Sequence, residues 1–212
     1  MTSQAERRIW DISQRLRPAI PVWPGDTAFT RHRTWLMEDA SPVNVSSLTM
    51  STHTGSHADA PLHYSKSAAD IASVDLRVYL GDCLVVDARK AGALIKPSDL
   101  PSLEGVRRVL FRSFACFPHD HWETEFTAIA PEAIEHLARQ GVLLVGIDSP
   151  SIDPQDSKEM LAHRMVLKHD LRILEGLVLD DVRPGRYELI ALPLPIAEAD
   201  ASPVRAVLRE IV

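Results

Sequence analysis

The segment Ser51-Thr52-His53-Thr54-Gly55-Ser56-His57-Ala58-Asp59-Ala60-Pro61-Leu62-His63 constrains this chain more than any other. Three of its nine histidines and one carboxylate fall within the eleven residues 53–63. The run is short of bulky apolar side chains, so core packing does not explain it. Imidazole nitrogens and carboxylate oxygens are ligands that Zn²⁺ and similar borderline cations accept. His53 and His57 are four apart, as on one face of a helical turn, but Gly55 and Pro61 argue against an uninterrupted helix. The expected conformation is a strand end that turns sharply and folds His53, His57 and Asp59 around one point. Two histidines and a carboxylate leave coordination positions open, as catalysis requires, and Asp59 could bridge two ions. His63 has three open roles: a further ligand, a general acid/base, or a group that orients a ligand.

Composition narrows the alternatives. At 212 residues, one domain spanning 1–212 with a substantial core is expected. The net charge of −6 gives no electrostatic footprint for nucleic acid. No apolar run reaches the roughly 18 residues of a membrane span. The N-terminal residues Glu6, Arg7, Arg8 and Asp11 lack the apolar stretch of a secretion signal. With only Cys83 and Cys116, no disulfide framework is expected, and cytoplasmic residence is the default.

Short apolar or β-branched runs at 9–12, 44–50, 83–88, 109–114, 142–147, 187–194 and 204–211 read as strands. Residues 15–27 form a Pro-rich loop. Pro131 suits a first helical turn and Gly141 its termination, which predicts a helix over 131–140; a second is expected over 157–168, carrying His163. Strands outnumber helices without regular alternation, which predicts a mixed α/β domain rather than a doubly wound one.

Two further histidine groups compete for a cation. His119 and His121 form a His-x-His pair, but Pro118, Asp120 and Glu123 give it the chemistry of a solvated loop. It is expected to border a substrate entrance, with Phe117 and Trp122 as apolar walls, rather than to supply ligands. Glu175 lies in the nearly continuous apolar run Ile173-Leu174-Glu175-Gly176-Leu177. A buried carboxylate is costly unless paired or metal-bound, so ligand, ion pair and exposed strand edge stay open for it. No Gly-x-Ser-x-Gly elbow points to a serine nucleophile.

The His-x-Gly-x-His-x-Asp-x-Pro-x-His arrangement formed by His53, Gly55, His57, Asp59, Pro61 and His63 resembles the signature of the metal-dependent cyclase/hydrolase family, which isatin hydrolases share. The likeness to its bacterial kynurenine formamidases extends through Trp10-Asp11-Ile12-Ser13, Pro21-Val22-Trp23-Pro24-Gly25-Asp26, Phe126-Thr127-Ala128-Ile129, Gly146-Ile147-Asp148-Ser149-Pro150-Ser151, residues 172–181 and residues 187–194. Ser56 departs from an expected threonine but keeps the hydroxyl. The resemblance implies a swivelling β/β/α fold, strand-rich with a few helices, and a homodimer. It implies two Zn²⁺ per subunit: His53, His57 and Asp59 on one, His163 on the other, with Asp59 and Glu175 bridging or sharing both. His63 would donate and accept protons, and Trp23 would line the aromatic site. The implied reaction is hydrolysis of N-formyl-L-kynurenine to L-kynurenine and formate, in tryptophan degradation, by a metal-activated hydroxide. The alternative is a related hydrolase of another amide such as isatin.

Overall fold

The computed structural model describes residues 7–38 and 41–211. The chain runs β1 (Ile9–Asp11), β2 (Thr30–Trp35), β3 (Val45–Thr49), β4 (His57–Asp59), α1 (Pro61–Tyr64), β5 (Leu80–Asp87), β6 (Leu94–Ile95), β7 (Arg108–Arg112), β8 (Ala128–Ile129), α2 (Pro131–Arg139), β9 (Leu144–Ile147), α3 (Leu161–Lys168), β10 (Arg172–Glu175), β11 (Gly185–Ile190), β12 (Ala201–Pro203) and β13 (Val207–Arg209). Short 3₁₀ turns occupy Ile71–Ser73, Leu76–Tyr79 and Pro97–Asp99. The architecture is mixed α/β and strand-rich, as expected.

One nine-stranded sheet runs in the order β1-β13-β11-β5-β7-β9-β10-β4-β12. Its centre, β5-β7-β9-β10, is parallel, and the remaining strands add on antiparallel at both sides. Central parallel strands are covered on both faces, so they read as short continuous apolar runs. Leu110, Leu144 and Leu174 point to one buried layer; Val109, Phe111, Val145, Ile147 and Ile173 point to the other, where α2 and α3 pack. A buried aliphatic or aromatic side chain of this kind stabilises by about 1.5–3 kcal/mol relative to exposure, so both faces hold the central strands in register.

Several boundaries differ from expectation for local reasons. The helix predicted over 157–168 begins at Leu161, because Met160 adopts a left-handed conformation with φ 48°. The Asp153 carboxylate accepts the first-turn N–H groups of Ala162 and His163 at 3.0 and 3.1 Å. Residues 187–194 pair as a strand only to Ile190, and Pro193 keeps an isolated bridge to Val204. β2, β4, β6, β8, β10 and β12 lie outside the expected strand segments: their residues are mostly polar or too few to show a period.

β2 and β3 form a separate two-stranded hairpin whose residues are all exposed. It carries or flanks Trp35, Leu36, Met37 and Leu48, which are 59, 48, 62 and 56% exposed.

Candidate metal centre

β4 lies between β10 and β12. Side chains alternate along a strand, so His57 and Asp59 share a face while Ala58 packs into the core on the other. Antiparallel register sets Glu175 directly across from His57, and Ile173 across from Asp59. Glu175 thereby joins the cluster although it is 118 residues from His57 in sequence. Two left-handed glycines make the approach possible. Gly55 has φ +72° and Gly176 φ +63°, and a Cβ on Gly176 would stand 2.8 Å from the Gly55 carbonyl oxygen. Any side chain there would push the Glu175 strand end off the histidine turn.

The contacts converge. His53 Nδ1 is 3.2 Å from Asp59 Oδ1, and His57 Nε2 is 3.4 Å from the same oxygen. Asp59 Oδ2 lies 3.5 Å from His163 Nε2. Glu175 spans the same two sides, with Oε2 3.3 Å from His57 Nε2 and Oε1 3.7 Å from His163 Nε2. Each carboxylate therefore turns one oxygen toward His57 and the other toward His163. Ligand atoms of His53, His57 and Asp59 lie within 4.8 Å of one another, as do those of Asp59, His63 and His163.

The outer ring nitrogens are held by other groups. His57 Nδ1–H donates to the Gly55 carbonyl at 3.0 Å, and His163 Nδ1–H donates to Asp153 Oδ2 at 2.6 Å. His53 Nε2–H donates to Asp200 Oδ2 at 3.0 Å. Fixing one nitrogen in this way aims the other inward, as in metal sites whose imidazoles are oriented by carboxylates or carbonyls. The inner atoms, His57 Nε2, His163 Nε2 and both Asp59 oxygens, are buried without a directed hydrogen-bond partner in the protein. Leaving so many polar atoms unsatisfied would cost about 1–3 kcal/mol each. Nitrogen and oxygen donors at these distances fit a divalent cation.

Electrostatics agree with that fit. Burial opposes charge on His53, yet Asp200 and Asp59 outweigh it and hold the ring up at about 10. His163 is likewise raised to about 10, burial being overcome by Asp153, Asp59 and Glu175. Burial would raise Asp59, but the imidazoles of His163, His53 and His57 keep it well below the ordinary carboxylate range.

The cluster opens into a cavity of about 340 Å³. Trp23, 37% exposed, lines it opposite Trp122, the two rings meeting edge-on at 5.4 Å. Trp122 Nε1–H donates to Gln155 at 2.7 Å. His63, on α1, also lines the cavity, its ring 4.3 Å from that of His53. Phe117 does not line this cavity itself but a small adjoining recess that it shares with Pro21 and Trp122; its ring packs near those of Phe114 and His119, 5.9 and 5.0 Å away, and its N–H donates to the Asp180 carboxylate. His119 and His121 belong to no converging ligand group among the described residues.

Asp153 and Asp200 were missed at the sequence level. Each sits ten or more residues from the ring it touches, so no local spacing could reveal it.

Comparison with known proteins places these residues in a wider context. The cyclase family profile matches residues 10–154. A kynurenine formamidase from Erythrobacter litoralis is 59% identical over 208 residues, covering 98% of this chain and 96% of the relative. A solved structure described as a potential metal-dependent hydrolase with cyclase activity superposes with a TM-score of 0.84 at 30% identity, covering 98% of this chain and all of the other. Isatin hydrolase A from Labrenzia aggregata has the same TM-score at 22% identity, over 96% of this chain and 93% of its own, which is a likeness of fold.

Proposed function

The chain belongs to the cyclase family, and from that premise we propose that it is a zinc-dependent arylformamidase that hydrolyses N-formyl-L-kynurenine to L-kynurenine and formate. The observation that carries the reading is the pair of buried carboxylates, Asp59 and Glu175. Each spans two imidazole groups on the floor of a cavity walled by tryptophan. The name carried by the 59%-identical relative supplies the substrate class.

His53, His57 and Asp59 would hold one Zn²⁺ and His163 the other, with Asp59 and Glu175 shared between them. Divalent ions so held supply Lewis-acid polarisation of the formyl oxygen and lower the pKa of water toward about 7. The remaining work falls to the chain. Trp23 and Trp122 offer flat apolar faces to the substrate's aryl ring. Hydrolysis adds an oxygen to the formyl carbon and breaks its bond to nitrogen, and an arylamine leaves poorly as an anion. His63 is placed to take the proton released by water and deliver it to that nitrogen, a role an imidazole can fill because one ring nitrogen can accept a proton and later donate it.

The decisive experiment combines metal content per chain with formate release from N-formylkynurenine, formylanthranilate and isatin. Two ions per chain and a preference for the formyl substrates are expected. A strong preference for isatin would sink the assignment.

The same reading covers a single hydrolase domain over 1–212, supported by a sheet that draws β1 and β13 from opposite ends of the chain into neighbouring positions. Cytoplasmic residence is supported by the free thiols of Cys83 and Cys116; no helix among the described residues is long and apolar enough to cross a membrane. A homodimer is supported by the β2–β3 hairpin, since an isolated two-stranded hairpin is marginal in water and this one exposes Trp35, Met37 and Leu48. Light scattering should give twice the chain mass, falling toward the monomer in a Trp35→Ser, Leu48→Ser double variant. A monomeric parent protein would refute the dimer.

A further inference from the structure

We propose that Asp200 is a positioning residue that aims His63 for proton transfer, and that it does so through the oxygen that also steadies His53. This rests on the reading of His63 as proton carrier. Asp200 Oδ2 lies 3.0 Å from His53 Nε2 and 3.4 Å from His63 Nδ1, so one carboxylate oxygen accepts from both rings. The other oxygen accepts from the Thr52 hydroxyl at 2.9 Å. Backbone geometry fixes the carboxylate's origin: the Ala60 N–H donates to the Asp200 carbonyl at 2.8 Å, and Ala201 pairs with Asp59 across β12 and β4. The carboxylate is thus anchored to the strand that presents His57 and Asp59.

The consequence for His63 is directional. A proton carrier needs one nitrogen facing the reacting atoms and the other committed elsewhere. With Nδ1–H held by Asp200, the free nitrogen of His63 is Nε2. A ligand-type nitrogen of His63 lies within 4.8 Å of donor atoms on both Asp59 and His163, so the ring reaches the centre of the cluster. The same carboxylate oxygen ties His63 to His53, whose ring is 4.3 Å away. Movement of the proton carrier is therefore linked to a residue at the metal centre. Ring-orienting carboxylates of this kind contribute about 10–100-fold in activity or metal affinity.

The test compares Asp200→Ala and Asp200→Asn in the metal-loaded enzyme. The asparagine oxygen can still accept from the two rings if its amide nitrogen turns to the Thr52 hydroxyl. Asp200→Ala should keep its metal content and a KM for N-formylkynurenine within about twofold, while kcat falls about 10–100-fold. The fall should be smaller on an aryl formate ester, whose leaving group needs no proton, and Asp200→Asn should recover part of the loss. Placed on a His63→Ala background, Asp200→Ala should cost clearly less than it costs alone, the remainder reflecting its hold on His53, because residues acting as a unit are non-additive. An unchanged kcat, a fully additive double variant, or loss of an ion from Asp200→Ala would each overturn the proposal. If Asp200→Ala fails to fold, Thr52→Val carries the test, with the same pattern at smaller amplitude; no change there would be equally fatal. Absence of any leaving-group dependence in His63→Ala itself would instead refute the proton-carrier reading.

Discussion

Replacing Asp59 by alanine should abolish ion binding and activity together. Asp59 is fully buried, with one oxygen facing His53 and His57 and the other facing His163. Two catalytic cations sit about 3.5–4 Å apart. At that separation two unit charges repel by about 4 kcal/mol at an effective dielectric constant of 20, and two divalent ions by about four times as much. On the proposed two-ion reading the shared carboxylates would offset this repulsion, and Glu175 alone would leave it half compensated. Each tenfold in rate corresponds to about 1.36 kcal/mol, so losing several kcal/mol of metal-derived stabilisation predicts a fall of at least about 10³-fold. Metal analysis and formate release on the same preparation measure both effects. Full occupancy with normal turnover in the variant would show that Asp59 is not a ligand.

The same charges predict how the parent protein responds to pH. His53 and His163 are held up at about 10 in the ion-free state, so at neutral pH incoming cations displace protons. Ion uptake should release acid into weakly buffered solution, and apparent affinity should weaken as the pH is lowered. For the ion-free fold the sign is reversed. These raised imidazoles contribute stability that is fully present below the unfolded histidine pKa near ~6.5 and is lost as pH rises toward 10. Thermal melting of ion-stripped protein across that range is the measurement, and a rise in melting temperature with pH would contradict it.

The parts of the fold legible in the sequence were those written by burial. β5, β7 and β9 are covered on both faces and appear as apolar runs. α2 announces itself through Pro131 and Gly141. The turn holding His53, His57 and Asp59 was readable because Gly55 and Pro61 exclude a helix and because the ligands are local. Local pattern shows Glu175 only as an acid in an apolar run, and its part as a shared ligand comes from the family resemblance alone; its placement opposite His57 is a matter of β10–β4 register, which no local pattern encodes. Asp153 and Asp200 were invisible for a related reason. Acids in polar turns have an ordinary solvated explanation, and their partners lie 10 residues away for Asp153, and 147 and 137 for Asp200. The β2–β3 hairpin was only half visible, since the polar run Arg31-His32-Arg33-Thr34 has no apolar face to show a period.

Replacing His63 by alanine should leave most of the metal in place and remove most of the rate. Its ring lines the cavity, within reach of Asp59 and His163, and is tied through Nδ1 to Asp200 rather than buried among the carboxylates. On the proposed reading His53, His57, Asp59, His163 and Glu175 would supply enough donors without it. Loss of a general acid/base predicts a fall of about 10²–10⁴-fold in kcat. The deficit should scale with how badly the leaving group needs a proton: large for N-formylkynurenine, whose arylamine cannot depart as an anion, and small for an aryl formate ester, whose phenolate can. Measuring both substrates on one variant separates proton transfer from positioning. Equal losses on the two, or the disappearance of an ion, would make His63 a ligand or an orienting group instead.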